Sequence, residues 1–479
     1  MYRLSPLSCL LLVPLVVLAC RTGARGPIGP DADAIVEGRV DSTVHADTVT
    51  DPFTVSLARA RWTARERALN STDFWADLAM LDLASAQKAA GSVDERTFVF
   101  ALQTLMDGDP EGAAVAFGAL YSQATDAVVR GRARVGLTMA LSWSSDWPRL
   151  AQQTANFDST FADVAESERQ ASVERWARAL ADVPAPLVTV PEESVVLPMR
   201  RSAFGTPVIT VRINGRPHEF WLDTGASMTL LSAEVALETG VYLASRDTLA
   251  LGVVAGHIPA RAVIIDSLDI GPVKARGLSA AVVEQRMLRL DRRMVQGQLE
   301  SIPIDGVIGT DLLRHMDIVL DAGAGTMTIR RPRRNPRARR NLYWIGYPVV
   351  KLVTRDGRPV VFGLDTGAEG TYVTTSLLRK LPRTPVAARR MTLGGLGEGK
   401  EKTEWVAREI ALSDGDYAIS LRNAPVTPER RWTFVTFDGV IGSDVALATR
   451  MHLDFENGVF DVRPSAHVGE TGPSVQVEH

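Results

Sequence analysis

Cysteine is nearly absent from this chain of 479 residues: Cys9 and Cys20 are the only two, and both fall in the first twenty positions. The rest of the chain can therefore form no disulfide and no thiolate metal site. Histidine is sparse as well. Its seven copies are scattered, with no His-Glu-x-x-His pair, so no zinc or other metal site is expected. The formal net charge is only −3, which supplies no global attraction for nucleic acid. A nucleophile elbow is missing, because Gly277-Leu278-Ser279-Ala280-Ala281 lacks the final glycine of Gly-x-Ser-x-Gly. Gly394 to Lys400 has phosphate-loop spacing, but Glu401 stands where Ser or Thr is needed and no helix-forming run comes after it. Nucleotide binding is rejected, and no cofactor is expected.

Long apolar runs are also lacking. The one candidate, Leu10 to Leu18, is too short to span a bilayer and comes after a single early positive charge, Arg3. That order reads as an export signal. Val17-Leu18-Ala19-Cys20 resembles the lipobox of bacterial lipoproteins, which implies cleavage before Cys20 (signal 1–20) and lipidation of that cysteine. The alternatives are an ordinary signal peptide cut nearby and a buried apolar N-terminus. The expected location is the bacterial cell envelope, outside the cytoplasm, with Cys20 holding the chain to a membrane. Residues 21–50 are rich in Gly, Pro, Ala and Asp without apolar periodicity and read as a flexible tether.

Residues 51–183 change character. Ala, Leu, Arg and Glu dominate, and Phe74, Trp75, Leu78 and Leu81 recur at near-helical spacing. Asp109-Pro110-Glu111 predicts a helix start, with Asp109 as N-cap and Pro110 in the first turn. Further helices are predicted over 126–141 and 162–181. The stretch 101–152 faintly resembles a tetratricopeptide helix pair. Such a module would offer a platform for a protein partner; the preferred reading is a helical domain whose tryptophans are core. Pro184, Pro186, Pro191 and Pro198 then mark a domain boundary.

Beyond that boundary the sequence is written twice. Phe220-Trp221-Leu222-Asp223-Thr224-Gly225-Ala226 is answered by Phe362-Gly363-Leu364-Asp365-Thr366-Gly367-Ala368. Asn214-Gly215-Arg216-Pro217 and Asp356-Gly357-Arg358-Pro359 precede the two aspartates at equal distance. Downstream, Asp305-Gly-Val-Ile-Gly-Thr-Asp311 matches Asp438-Gly-Val-Ile-Gly-Ser-Asp444. Each copy predicts a hairpin delivering its Asp at a strand end, with Gly permitting the tight turn. The order of elements agrees throughout, so 195–330 and 341–465 are read as duplicated lobes. Between them the Arg-rich stretch 331–340 reads as an exposed linker, and 466–479 as a tail.

The lobes resemble the retropepsin-like aspartic proteases, in a single-chain, two-lobed bacterial form. The resemblance rests on the Asp-Thr-Gly-Ala motif, the Thr-x-[Leu/Val]-[Ser/Thr] after it and the later apolar-apolar-Gly, all present in both halves. It implies a multidomain chain in which the α-helical N-terminal domain precedes an all-β bilobal acid-protease fold. It also implies an aspartic endopeptidase acting on peptide or protein substrates, with Asp223 and Asp365 as the catalytic pair. Two carboxylates at hydrogen-bond distance cannot both ionise cheaply, so one keeps a proton while the other activates water. Thr224 and Thr366 are implied to cross-bond the two loops, and Gly225 and Gly367 to leave room and offer amides. Ser227 and Glu369 occupy a position where retroviral members usually carry Asp; an inward Glu369 would raise the pair's pKa or select a basic substrate group. The retroviral Arg after Ile-Gly is replaced by Thr310 and Ser443. Flap tips are expected at Gly256 in the first lobe and at Gly395 and Gly397 in the second. Two alternatives stay open on sequence alone: a non-catalytic peptide-binding scaffold that uses the cleft by strand addition, and a helical domain acting as a propeptide.

Overall fold

A computed structural model of the chain describes residues 51–60, 73–154, 164–203, 205–253, 256–293, 299–393, 400–465 and 475–476. Cys20, Gly395 and Gly397 lie outside the described residues. The helical part consists, among the described residues, of seven helices from Phe74–Ala79 to Val164–Ala179. Their starts obey local chemistry. The Asp109 carboxylate accepts the Gly112 amide at 2.9 Å, with Pro110 in the first turn. Ser92 and Glu95 form a reciprocal capping box at the start of Val93–Met106. Phe98 sits at the centre of the module, edge-to-face with Trp75, Phe117 and Phe434, the last from the second lobe. Such pairs contribute about 0.5–1.5 kcal/mol each beyond burial, so Phe98 helps to fasten the module to the second lobe.

The two lobes are barrels with one strand order. In the first, the neighbours run Leu187–Thr189, Val273–Val283, Leu230–Ser232, Gly306–Ile308, Arg216–Leu222, Pro207–Ile213 and Gly256–Ile270, and the last pairs back onto Val273–Val283. In the second they run Thr54–Arg59, Tyr417–Thr427, Tyr372–Thr374, Gly439–Ile441, Pro359–Leu364, Pro348–Thr354 and Lys400–Ser413, with the last closing on Tyr417–Thr427. The leading hairpins differ in their turns. Asn214 (φ 48°) and Gly215 (φ 85°) make the two-residue turn that needs positive φ twice. The second lobe has one residue more, absorbed where the Gly357 amide returns to the Thr354 carbonyl at 2.9 Å.

A five-stranded antiparallel sheet joins the lobes, in the order Val459–Arg463, Arg450–Asp454, Asp317–Asp321, Thr326–Arg330 and Val195–Pro198. Asp317 pairs with Asp454 and Asp321 with Arg450. Its inner face buries Ile318, Leu320, Met327, Ile329, Met451, Leu453 and Phe460, so the lobes share one core. The 331–340 linker is largely exposed, tied at its end by Arg340 to the Glu456 carbonyl at 2.8 Å.

One boundary needs correction. Residues 54–59, read as the start of a helical domain over 51–183, form a strand pairing with Tyr417–Thr427 from Thr54↔Arg422 to Arg59↔Tyr417. Phe53 and Val55 alternate inward, the period of a half-buried strand. The tail is not wholly separate either, since Val475–Gln476 pairs with Thr54 and Val55. The helical module is thus bracketed by two strands. Thr54–Arg59 before it lies on the second barrel, and Leu187–Thr189 after it lies at the equivalent place on the first.

Candidate active site

Each catalytic loop leaves the end of a buried strand. Phe220–Leu222 runs parallel to Gly306–Ile308, and Phe362–Leu364 runs parallel to Gly439–Ile441. The Asp223 amide then donates to the Ile308 carbonyl at 3.1 Å and the Asp365 amide to the Ile441 carbonyl at 2.9 Å. The repeated Asp-Gly-Val-Ile-Gly segments are therefore the rails that aim the aspartates. Their own aspartates hold neighbouring pieces. Asp438 accepts the Val361 amide at 2.8 Å, and Asp305 accepts that of Glu219 at 3.1 Å. Asp311 accepts the amide and hydroxyl of Thr229 at 2.9 and 3.0 Å, and Asp444 those of Thr371 at 2.7 and 2.6 Å. Burial pushes Asp311 and Asp444 each up to about 6 despite these donors.

The loops interlock beneath the aspartates. The Thr224 amide donates to Thr366 Oγ1, and the Thr366 amide to Thr224 Oγ1, each at 3.0 Å. Each hydroxyl donates onward across the interface, Thr224 to the Leu364 carbonyl at 2.9 Å and Thr366 to that of Leu222 at 2.7 Å. These four bonds fix the loop spacing. The glycines set how close the carboxylates come. A Cβ on Gly225 would stand 2.6 Å from Asp365 Cγ, and one on Gly367 would stand 2.4 Å from Asp223 Cγ. Either would push the pair apart.

The pair is chemically unequal. Asp223 is fully buried, whereas Asp365 is half-buried. Asp223 Oδ1 accepts the Gly225 amide at 2.7 Å, but Oδ2 is buried with no donor from elsewhere among the described residues. Burial and then the charge of Asp365 hold Asp223 well above the usual carboxylate range. Asp365 is raised by burial too, but donors oppose the rise. Its Oδ1 accepts the amides of Gly367 at 3.1 Å and Ala368 at 2.9 Å, and its Oδ2 accepts the Tyr347 hydroxyl at 3.1 Å. A shared proton therefore rests on Asp223, supplying the missing donor, and Asp365 carries the charge.

Tyr347 is not among the residues the sequence singles out, although a signal exists. Gly205-Thr206-Pro207-Val208 is matched by Gly346-Tyr347-Pro348-Val349, which extends the duplication one element upstream. Where Tyr347 reaches its aspartate, the shorter Thr206 keeps a buried hydroxyl without a partner among the described residues. Thr206 and Tyr347 thus add an asymmetry around the pair beyond the difference between Ser227 and Glu369. Ser227 lines a cavity beneath the helices, and Glu369 is half-buried with its carbonyl accepting the Ser443 hydroxyl at 3.1 Å. Thr310 Oγ1 likewise donates to the Ala226 carbonyl at 3.0 Å, so Thr310 and Ser443 brace the loop exits.

The segments expected to carry the flap tips belong to hairpins. Leu249–Val253 pairs with Gly256–Ile270, beginning at Gly256↔Val253. Val386–Leu393 pairs with Lys400–Ser413, beginning at Leu393↔Lys400.

Residues 209–312 match the family model described as aspartyl protease. That span runs from the first lobe's leading strand to the helix Thr310–Leu313 and includes Asp223. Solved structures with similarity include a retropepsin-like aspartic protease from Rickettsia conorii, at 19% identity over 30% of this chain and 91% of that one, with a TM-score of 0.20. Another is an aspartic proteinase from Irpex lacteus, at 10% identity over 58% of this chain and 100% of that one, with a TM-score of 0.36. No curated protein matches the chain. The second lobe repeats the matched span strand for strand and places Asp365 against Asp223, so the aspartyl-protease segment matched over 209–312 has a structural counterpart in the second lobe.

Proposed function

We propose that the chain is an aspartic endopeptidase held to a bacterial envelope membrane through Cys20 and acting outside the cytoplasm. The observation that carries the catalytic part is the unequal, interlocked pair of Asp223 and Asp365. Asp365, kept ionised by two amides and Tyr347, takes a proton from a water between the carboxylates. The oxygen attacks the scissile carbonyl, and protonated Asp223 donates to the carbonyl oxygen as charge develops there. The resulting tetrahedral species collapses as a proton passes to the leaving nitrogen. The Val17-Leu18-Ala19-Cys20 sequence supports the membrane part.

Wild type, Asp223→Asn and Asp365→Asn are compared on a peptide library across pH. Each substitution is expected to abolish cleavage. Equal cleavage by all three would refute the mechanism, and peptide binding without cleavage by any form would favour a binding module. Radiolabelled fatty acid incorporation that survives Cys20→Ser would refute the anchor.

A further inference from the structure

The helical module does not stand apart from the catalytic lobes. Its tryptophans reach directly into the first lobe. Trp147 Nε1 donates to Ser279 Oγ at 3.1 Å. Trp176 Nε1 donates to the Ala250 carbonyl at 2.9 Å, which ties the helix Val164–Ala179 to the flap hairpin. On the other lobe, Trp143 stacks on Trp344 at 4.7 Å, and Phe98 meets Phe434. Tyr347 and Met228 belong to the same buried apolar cluster as these helical residues. The helical module therefore shares one buried core with the residues just after Asp223 and with Tyr347.

Between the helices and the first lobe lies a cavity that is partly open to solvent. Trp143, Trp147, Val173 and Trp176 wall it from the helical side, and Ser227 and Met228, directly after the first catalytic loop, wall it from the other. Two of the indole N–H groups are spent on the first lobe, which leaves ring carbon to face the space. The charged lining is engaged as well: Asp311 holds Thr229, and Arg314 donates to Ser145 Oγ at 2.8 Å. Trp344 Nε1 is buried without a partner among the described residues, a donor that a carbonyl of an occupant would satisfy.

We propose that the helical module is a fixed wall of the substrate cleft, and that this tryptophan-lined cavity is a specificity subsite for a bulky apolar side chain of the peptide substrate. The subsite rests on the peptidase reading of Asp223 and Asp365. An apolar space close to the first Asp-Thr-Gly loop selects by burial of apolar side-chain surface. The bracketing strands make the wall permanent, because each end of the module is paired into a barrel.

The test uses the full chain with Val173→Phe, which fills the cavity, and Val173→Ala, which enlarges it. Both are profiled on a peptide library alongside Asp223→Asn. Wild type is expected to favour Phe, Trp, Leu or Met at one fixed position relative to the cut bond. Val173→Phe should lower the kcat/KM ratio of bulky over small residues at that position by at least about 10-fold, and Val173→Ala should shift it towards the largest side chains. An unchanged ratio in both variants, or a uniform fall for every substrate, overturns the subsite. Cleavage that survives Asp223→Asn removes the peptidase reading and the subsite with it. If wild type cuts nothing, quenching of tryptophan fluorescence by the same peptides decides. A preference for bulky apolar residues that Val173→Phe abolishes upholds the subsite without the chemistry, and no preference overturns it.

Discussion

Replacing Tyr347 with Phe removes a single oxygen from the surroundings of the catalytic pair and keeps the ring that packs near Phe437. That oxygen donates to Asp365 Oδ2 at 3.1 Å, and its bond stabilises the ionised carboxylate. A hydrogen bond to a charged group contributes about 1.5–3 kcal/mol. Loss of that donor raises the Asp365 pKa further above its ordinary value. Asp365 is only half-buried, so water replaces part of the loss and the lower end of that energy range is expected. Ionised Asp365 is the base, so the acid limb of the kcat/KM profile should move to higher pH. The basic limb, set by protonated Asp223, should move less. The assay is kcat/KM against pH with a peptide that has no titrating group of its own, and circular dichroism as a check on folding. An acid limb that stays in place, or moves to lower pH, refutes the assignment of charge to Asp365.

The same geometry dictates other outcomes. Gly225→Ala places a methyl 2.6 Å from Asp365 Cγ and should lower kcat/KM by about 100-fold or more with the fold retained; near-wild-type turnover would show that the carboxylates need not touch. Thr366→Val strands the buried Thr224 amide and Leu222 carbonyl and should cost about 2–4 kcal/mol in denaturant unfolding. Thr366→Ser should recover most of that, and equal losses from both would count against the interlock. Stability should rise as pH falls from neutral towards about 5. Asp311, Asp444 and Asp414 are each raised by burial to about 6, so the folded chain binds extra protons below that value and loses their contribution as pH climbs through it. His315, held down to about 4 by burial, opposes them over part of this window but is a single group. A melting temperature higher at pH 7.5 than at pH 5 would refute that balance.

The catalytic half of the molecule is legible in the sequence because its signals are local and doubled. Asp-Thr-Gly at a strand end, Asn-Gly in a turn and Gly-Val-Ile-Gly each report their own few residues, and the second copy removes accident. The illegible features are non-local. Thr54–Arg59 is too short to declare itself beside a helical region, and its partner strand lies near the far end of the chain. Tyr347 is hidden because the duplicated position carries unlike residues, Thr206 and Tyr347, while only the flanking Gly and Pro-Val repeat. The tryptophans of the helical module read as core. Trp147 and Trp176 are indeed buried, but periodicity cannot tell burial within a module from burial against a neighbour.

The strand Thr54–Arg59 has a consequence for assembly. It is made early, yet the edge it completes belongs to strand Tyr417–Thr427 in the lobe made last. During synthesis its backbone donors and acceptors have no native partner until nearly the whole polypeptide has emerged. Closing that loop comes at the slow end of folding, where contacts distant in sequence set the rate. Until it closes, the second barrel presents an open edge able to capture the same strand from another copy. A strand that docks first on its own barrel gives a closed monomer, and one captured first by another copy gives an exchanged pair.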